Sequence, residues 1–199
     1  MLNRSVALRG LVLLAGASIF STITWADGVE VSGSGGGVTL DGGGGTHAVI
    51  GATGAYRLGD HIHLFGEFGY STLASSSFST SASGVTVTGN ASVKLANFGG
   101  GADYSFRSSK SKLRPYATAA LGLGHFYGSG SGTGSNGNSA SVSIGITNAL
   151  YSGIGGGVRL YVGQHWGFKP EVRYQRYQSS LFGSNTVLYT VGLFYQFGQ

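Results

Sequence analysis

Residues 166–178 read Trp166-Gly167-Phe168-Lys169-Pro170-Glu171-Val172-Arg173-Tyr174-Gln175-Arg176-Tyr177-Gln178. Side chains on a strand alternate between two faces. One parity of this segment carries Trp166, Phe168, Pro170, Val172 and Tyr174, and the other carries Gly167, Lys169, Glu171, Arg173 and Gln175. No helical period sorts these residues, so the segment is read as a strand with one apolar and one charged face.

The same alternation continues in both directions. Asn185–Phe197 sets Val187, Tyr189, Val191, Leu193, Tyr195 and Phe197 against Leu188, Thr190, Gly192, Phe194 and Gln196. Leu113–Gly128 sets Leu113, Pro115, Ala117, Ala119, Leu121 and Leu123 against Arg114, Tyr116, Thr118, Gly122 and Gly124. Ser141–Val162 sets Ile154, Val158, Leu160 and Val162 against Tyr151, Arg159 and Tyr161. Further strands are read at Val85–Phe106, His61–Leu73 and His47–Leu58, with a short first strand near Gly28–Ser34. The expected fold is all-β, an eight-stranded antiparallel up-and-down barrel. Gly59-Asp60, Arg107–Lys112 and Gly163–His165 are short turns, whereas Gly35–Thr46, Ala74–Gly84, Ser129–Ala140 and Ser179–Ser184 are longer Gly/Ser-rich connections. Short turns at one rim and long loops at the other suit a barrel that crosses a membrane. Val85–Phe106 and Ser141–Val162 exceed the roughly 9–11 residues a crossing needs, which predicts a sheet projecting outside.

Composition supports strands solvated by lipid. The chain is 41% hydrophobic and only 10% charged, against roughly 25% charged in ordinary soluble domains. That is too little charge for a solvating coat. With 38 glycines, two prolines and no period-three repeat, collagen is excluded. The absence of cysteine excludes disulfide scaffolds, cysteine nucleophiles and cysteine-ligated metals. At the N-terminus, Arg4 and Arg9 precede an apolar run from Gly10 to Phe20 and the small residue Ala26. This pattern is read as an export signal, residues 1–26, leaving a single domain over 27–199. Without Arg4 and Arg9 the formal net charge falls from +5 to +3, with no basic run that would suggest nucleic acid.

Lipid must then lie on the apolar face. Aromatics mark the strand ends, Trp166 and Phe197 toward one rim and Tyr70, Tyr127 and Tyr174 toward the other, as at two water–lipid interfaces. A one-residue slip of Trp166–Gln178 would expose Lys169, Glu171 and Arg173 together, and one such cation at the midplane costs ~2–4 kcal/mol. Arg176 has outward parity but sits near the outer rim. Inward parity collects Arg57, Glu67, Asp103, Arg114, Arg159, Lys169, Glu171 and Arg173. In a narrow interior these charges must pair. Asp103 and Arg114 flank one short turn, and Arg159 and Glu171 flank another, which predicts a salt-bridge network plugging the barrel. An ion path or small pore is the alternative use.

Four segments carry a family likeness: Pro115-Tyr116-Ala117 through Leu121-Gly122-Leu123-Gly124; Gly155-Gly156-Gly157-Val158-Arg159-Leu160; Gly167-Phe168-Lys169-Pro170-Glu171-Val172-Arg173-Tyr174; and Tyr189-Thr190-Val191-Gly192-Leu193-Phe194-Tyr195-Gln196-Phe197. In them the chain resembles the OmpA/OmpX-type small outer-membrane barrels, including the outer membrane protein β-barrel domain family. The resemblance implies location in a bacterial outer membrane, contact with its lipid, and assembly machinery that reads the C-terminal strand. It also implies a structural or surface-interaction role in envelope integrity or adhesion. No cofactor is expected, and the Gly/Ser/Thr/Asn-rich loops, with few charges, could contact an extracellular surface or ligand but name neither. Members usually end on the last aromatic, whereas this chain continues through Gly198-Gln199.

Some small outer-membrane barrels resemble lipid A-modifying enzymes that use His, Ser and an acid near the outer rim. His47 and His125 lie toward that rim, but no acid neighbours either on its strand and no His-x-Ser occurs. His61, His63 and His165 lie near the opposite rim. His61 and His63 could chelate a metal, but Asp60 is the one carboxylate at hand, so they are read as interface polar residues. Gly99-Gly100-Gly101 and Gly155-Gly156-Gly157 lack the Lys-Ser/Thr and helix of a phosphate loop and are read as strand glycines permitting close packing. A soluble secreted β-sandwich or barrel is the remaining alternative.

Overall fold

The computed structural model describes residues 28–41, 45–82, 85–108, 111–135, 137–178 and 185–198. The expected leader, residues 1–26, and the expected connection at 179–184 lie outside them. The strands are β1 (Val29–Leu40), β2 (Thr46–Leu58), β3 (Ile62–Ala82), β4 (Val85–Ser105), β5 (Leu113–Gly134), β6 (Ser139–Tyr161), β7 (Trp166–Gln178) and β8 (Asn185–Phe197). They form a closed antiparallel barrel in chain order, with β1 returning to pair β8. β7 and β8 have the ends that alternation predicts. At the β2–β3 turn the backbone enters the left-handed region at Gly59 (φ 67°), where a residue without Cβ avoids the steric penalty.

Three expectations about length are corrected. β1 runs to Leu40 and includes the glycine tract 35–37, whose composition suggests a loop. It does so because both of its edges are occupied: Gly35, Gly36 and Gly37 pair with Ile50, Val49 and Ala48 on one side and with Val191, Thr190 and Tyr189 on the other. β3 and β5 continue to Ala82 and Gly134, so much of what composition assigns to flexible loop is strand. The projecting sheet thus has four strands, where strand length alone predicts two. Register shifts at Thr72/Ala74 in the β3–β4 pair and at Phe126/Gly128 in the β5–β6 pair fall where it leaves the closed barrel. β-Bulges accumulate at such rims.

The outer wall is apolar. Leu121, Ile154, Val172 and Val191 are 70%, 66%, 56% and 56% exposed, while Arg159 and Asp103 are 0% and 1% exposed. This inverts a water-soluble barrel, in which the charges would be outside. Tyr104, Phe106, Trp166 and Tyr195 are exposed at the rim of short turns. At the opposite rim Tyr70 and Tyr127 lie 6.5 Å apart. There too the Tyr189 hydroxyl is 2.8 Å from both Thr39 Oγ1 and Thr46 Oγ1. Aromatic side chains with one wet end suit both interfaces.

The interior is layered. Toward the projecting end it is apolar, with Val38, Leu73, Leu95, Phe126, Ala149 and Tyr177 buried together; toward the short-turn end it is charged. Inward glycines make room for tyrosine rings: a Cβ on Gly122 would come within 2.5 Å of Tyr151 Cε1, and one on Gly124 within 2.7 Å of Tyr177 Cε1. The Gly122 position also abuts the Phe98 carbonyl and lies 2.7 Å from Gly99 Cα, neither of which can rotate away. Gly122→Val is expected to cost about 1–3 kcal/mol through overpacking, measured as a lowered urea midpoint for barrel refolded in detergent micelles. An unchanged midpoint would contradict this packing.

Candidate functional site: the charged interior

Alternation places one charged side chain after another along the inner face of each strand, and barrel closure brings different strands together across the lumen. All eight residues selected by inward parity occupy that face. Arg159, wholly buried on β6, donates from Nε to Glu30 Oε2 (2.9 Å) and from Nη2 to Asp103 Oδ2 (2.7 Å). Lys169 Nζ lies 3.3 Å from the same Asp103 oxygen and 3.7 Å from Glu30 Oε1. Two cations and two carboxylates therefore form a neutral group. Higher in the barrel, Arg173 Nη1 contacts Glu67 Oε1 (2.7 Å) and Nη2 contacts Glu171 Oε1 (2.6 Å). The surplus negative charge of this second group is met by hydroxyls: Tyr151 donates to Glu67 (2.8 Å) and Tyr116 to Glu171 (2.7 Å).

Tyr116 joins the two groups. Its hydroxyl serves the upper one, and its ring faces Arg159 Cζ at 4.6 Å and Lys169 Nζ at 5.1 Å in the lower one. Such cation–π contacts strengthen when desolvated.

The expected pairings across the turns do not occur. Asp103 pairs with Arg159 and Lys169, while Arg114 lies 4.0 Å over the Tyr161 ring and donates from Nε to the Ser111 carbonyl (2.9 Å). The register explains this. Asp103 stands opposite Thr118, four residues along β5 from Arg114, and Glu171 stands opposite Gly157 rather than Arg159. Arg57 is half-buried at the short-turn mouth. The eight residues of inward parity do not include Glu30, which belongs to the network and is 1% exposed. Its signal is present in Val29-Glu30-Val31, a carboxylate between two apolar residues of opposite parity.

The histidines divide. His63 is buried inside, and neither ring nitrogen has a hydrogen-bond partner among the described residues, so its reading as an interface residue is corrected. Its register partner Asp103 belongs to β4, whose inward face it shares. His61 Nδ1 lies 2.7 Å from the Ser105 carbonyl, and its ring stacks on Tyr104 at 5.7 Å. His125 has outward parity, with Nδ1 2.7 Å from Asn148 Oδ1. His47 has inward parity, opposite Val38 on β1. His47 and His125 thus share no face. A cavity of about 70 Å³ is lined in part by Ser32, Ser34, Thr53, Thr190, Glu67 and Arg173. It is polar enough and large enough to hold water.

No family model matches the chain, and no curated protein matches it in sequence. Solved structures do match in shape. Neisserial surface protein A aligns with a TM-score of 0.59 at 16% identity, covering 86% of this chain and 98% of its own. Ail, the attachment invasion locus protein of Yersinia pestis, solved with the heparin analogue sucrose octasulfate, aligns at 0.50 and 18%, covering 86% and 100%. A major outer membrane protein of Thermus thermophilus aligns at 0.51 and 11%, covering 85% and 98%. Apolar wall, charged lumen, closed ladder and these likenesses agree: the chain has the fold of the small outer-membrane β-barrels.

Proposed function

We propose that the chain is exported by cleavage after Ala26, resides in a bacterial outer membrane, and acts there as a non-enzymatic barrel with a structural or surface-interaction role. The assembly machinery would read its C-terminal strand, and lipid would solvate its wall. The observation that carries the reading is the division of labour along the strands. Charged groups are spent on one another inside, an apolar layer lies over them, and what projects beyond the rim is a four-stranded sheet. Residues 74–93 and 115–158 contain no Asp, Glu, Lys or Arg, so the surface offered is uncharged, made of hydroxyls, amides and backbone with scattered apolar side chains. A contact role for that surface is supported by Phe78, 46% exposed on it. The heparin analogue found with Ail is anionic, and this sheet has no cations to hold such a ligand.

Replacing residues 74–93 by a two-residue turn should leave a folded barrel, read by heat-modifiable gel migration, and abolish attachment of expressing cells to host-cell or abiotic surfaces. Unimpaired attachment by that variant overturns the surface role. In planar bilayers the intact protein is expected to give no large stable conductance, because on this reading the two charge groups and the apolar layer obstruct the lumen. A large stable step would replace the plugged core with a pore. Release of acyl chains from lipid A, abolished by His125→Ala, would replace it with an enzyme.

A further inference from the structure

The ladder that closes the barrel stops short of the projecting sheet. β2 leaves β3 after the Val49–Ser71 pair, and β7 leaves β6 after Leu150–Gln178. Above these points β3, β4, β5 and β6 continue to pair with one another as far as Ala82–Val85 and Thr133–Ser139. Among the described residues, therefore, 74–82 of β3 and 139–149 of β6 each have one side on which no strand pairs. A strand edge of this kind is a row of unused backbone donors and acceptors. Proteins that must stay apart blunt such edges with lysine, proline or brevity. Here the edges read Ala74-Ser75-Ser76-Ser77-Phe78-Ser79-Thr80-Ser81-Ala82 and Ser139-Ala140-Ser141-Val142-Ser143-Ile144-Gly145-Ile146-Thr147-Asn148-Ala149, without a charge or a proline.

Direction selects the occupant. β3 runs outward from its short turn and β6 runs back. Copies inserted in one membrane all point the same way, so β3 of one copy lies antiparallel to β6 of another, whereas two β3 strands would be parallel. Antiparallel ladders are the more stable per residue. Each molecule carries one edge of each direction, both start at the level where the barrel opens, and neither repels the other electrostatically. We propose that copies of this chain associate within the membrane by adding the projecting part of β3 of one to β6 of the next, joining their sheets. Because the two surfaces differ, the contact is heterologous and extends into rows or rings rather than closing as a two-fold dimer. The proposal rests on the reading that this sheet lies outside the cell.

The chain has no native cysteine, so the test is direct. Ser77→Cys and Ser141→Cys proteins are expressed together in one cell and oxidised with copper–phenanthroline, which joins two thiols as a disulfide. The expected product is a mixed dimer, absent when either protein is expressed alone, and the S77C/S141C double variant should give a ladder beyond dimer. Adding Ser75→Lys and Ser79→Lys should reduce the mixed dimer at least several-fold. Homodimers alone, or no adduct, overturn the proposal when a membrane-impermeant maleimide labels the thiol introduced at position 77 in intact cells. If the maleimide fails to label it, the surface reading itself has failed and the proposal falls with it.

Discussion

Arg159→Met is expected to destabilise the folded barrel by about 3–5 kcal/mol, the cost of removing one partner from a buried ion pair. Arg159 is wholly buried and makes the shorter contacts to both Glu30 and Asp103, at 2.9 and 2.7 Å. Without it two buried carboxylates share Lys169 alone, which lies 3.3 and 3.7 Å away. Methionine keeps much of the volume, so the loss reports charge rather than a cavity. Adding Glu30→Gln to Arg159→Met restores neutrality, leaving Asp103 with Lys169, and most of the stability should return. Well-packed neutral replacements of buried ion groups are often tolerated. Urea unfolding in lipid vesicles, followed by gel migration, measures both variants. Equal stability of the single variant and the parent would show that the lower group does not hold the barrel together.

Val172→Arg is expected to cost ~2–4 kcal/mol, the penalty for a cation at the bilayer midplane. Val172 is 56% exposed on the outer wall and stands near the middle of β7. Its neighbours of the same parity are Pro170 and Tyr174, which offer no partner charge. Gln178→Arg, outward at the far end of the strand, should cost only ~0–1 kcal/mol, since the penalty fades toward the interface. The native chain already places Arg176 near that end. The gradient between the two positions is the measurement, made by the same unfolding assay. Equal, small costs at both would mean that water, not hydrocarbon, bathes the wall.

How much of this can be read from the sequence depends on whether side chains are present to read. β7 and β8 alternate bulky or charged residues without interruption, and the parity that places Lys169, Glu171 and Arg173 inside follows from Trp166-Gly167-Phe168 onward. β1 offers Ser32–Gly37 instead, in which parity has almost nothing to act on. Its length beyond Ser34 emerges only with β2 and β8 on either side, whereas Glu30 already stands between Val29 and Val31 in the short strand that alternation shows. The pairings inside the lumen are illegible for another reason. They join β1, β3, β4, β6 and β7 across space, and the register that decides them is set by turn lengths and barrel stagger. Likewise, the bulges near Leu73 and Tyr127 leave no mark in composition, so projecting strands look like loops. The apolar layer around Leu95 and Phe126 breaks the rule that inward parity is polar, and alternation alone does not announce it.

The glycine tract of β1 has a consequence for how the ring is completed. A strand that is nearly bare backbone can slide past its neighbours at little cost, since register is weakly specified where there are no side chains to mismatch. Two stops remain: Glu30, caught by Arg159 at one end, and Val38, seated among Leu95 and its neighbours at the other. The seam between the first and last strands therefore behaves like a zip fastener with a pin at each end, aligned by two residues while the teeth between them are interchangeable.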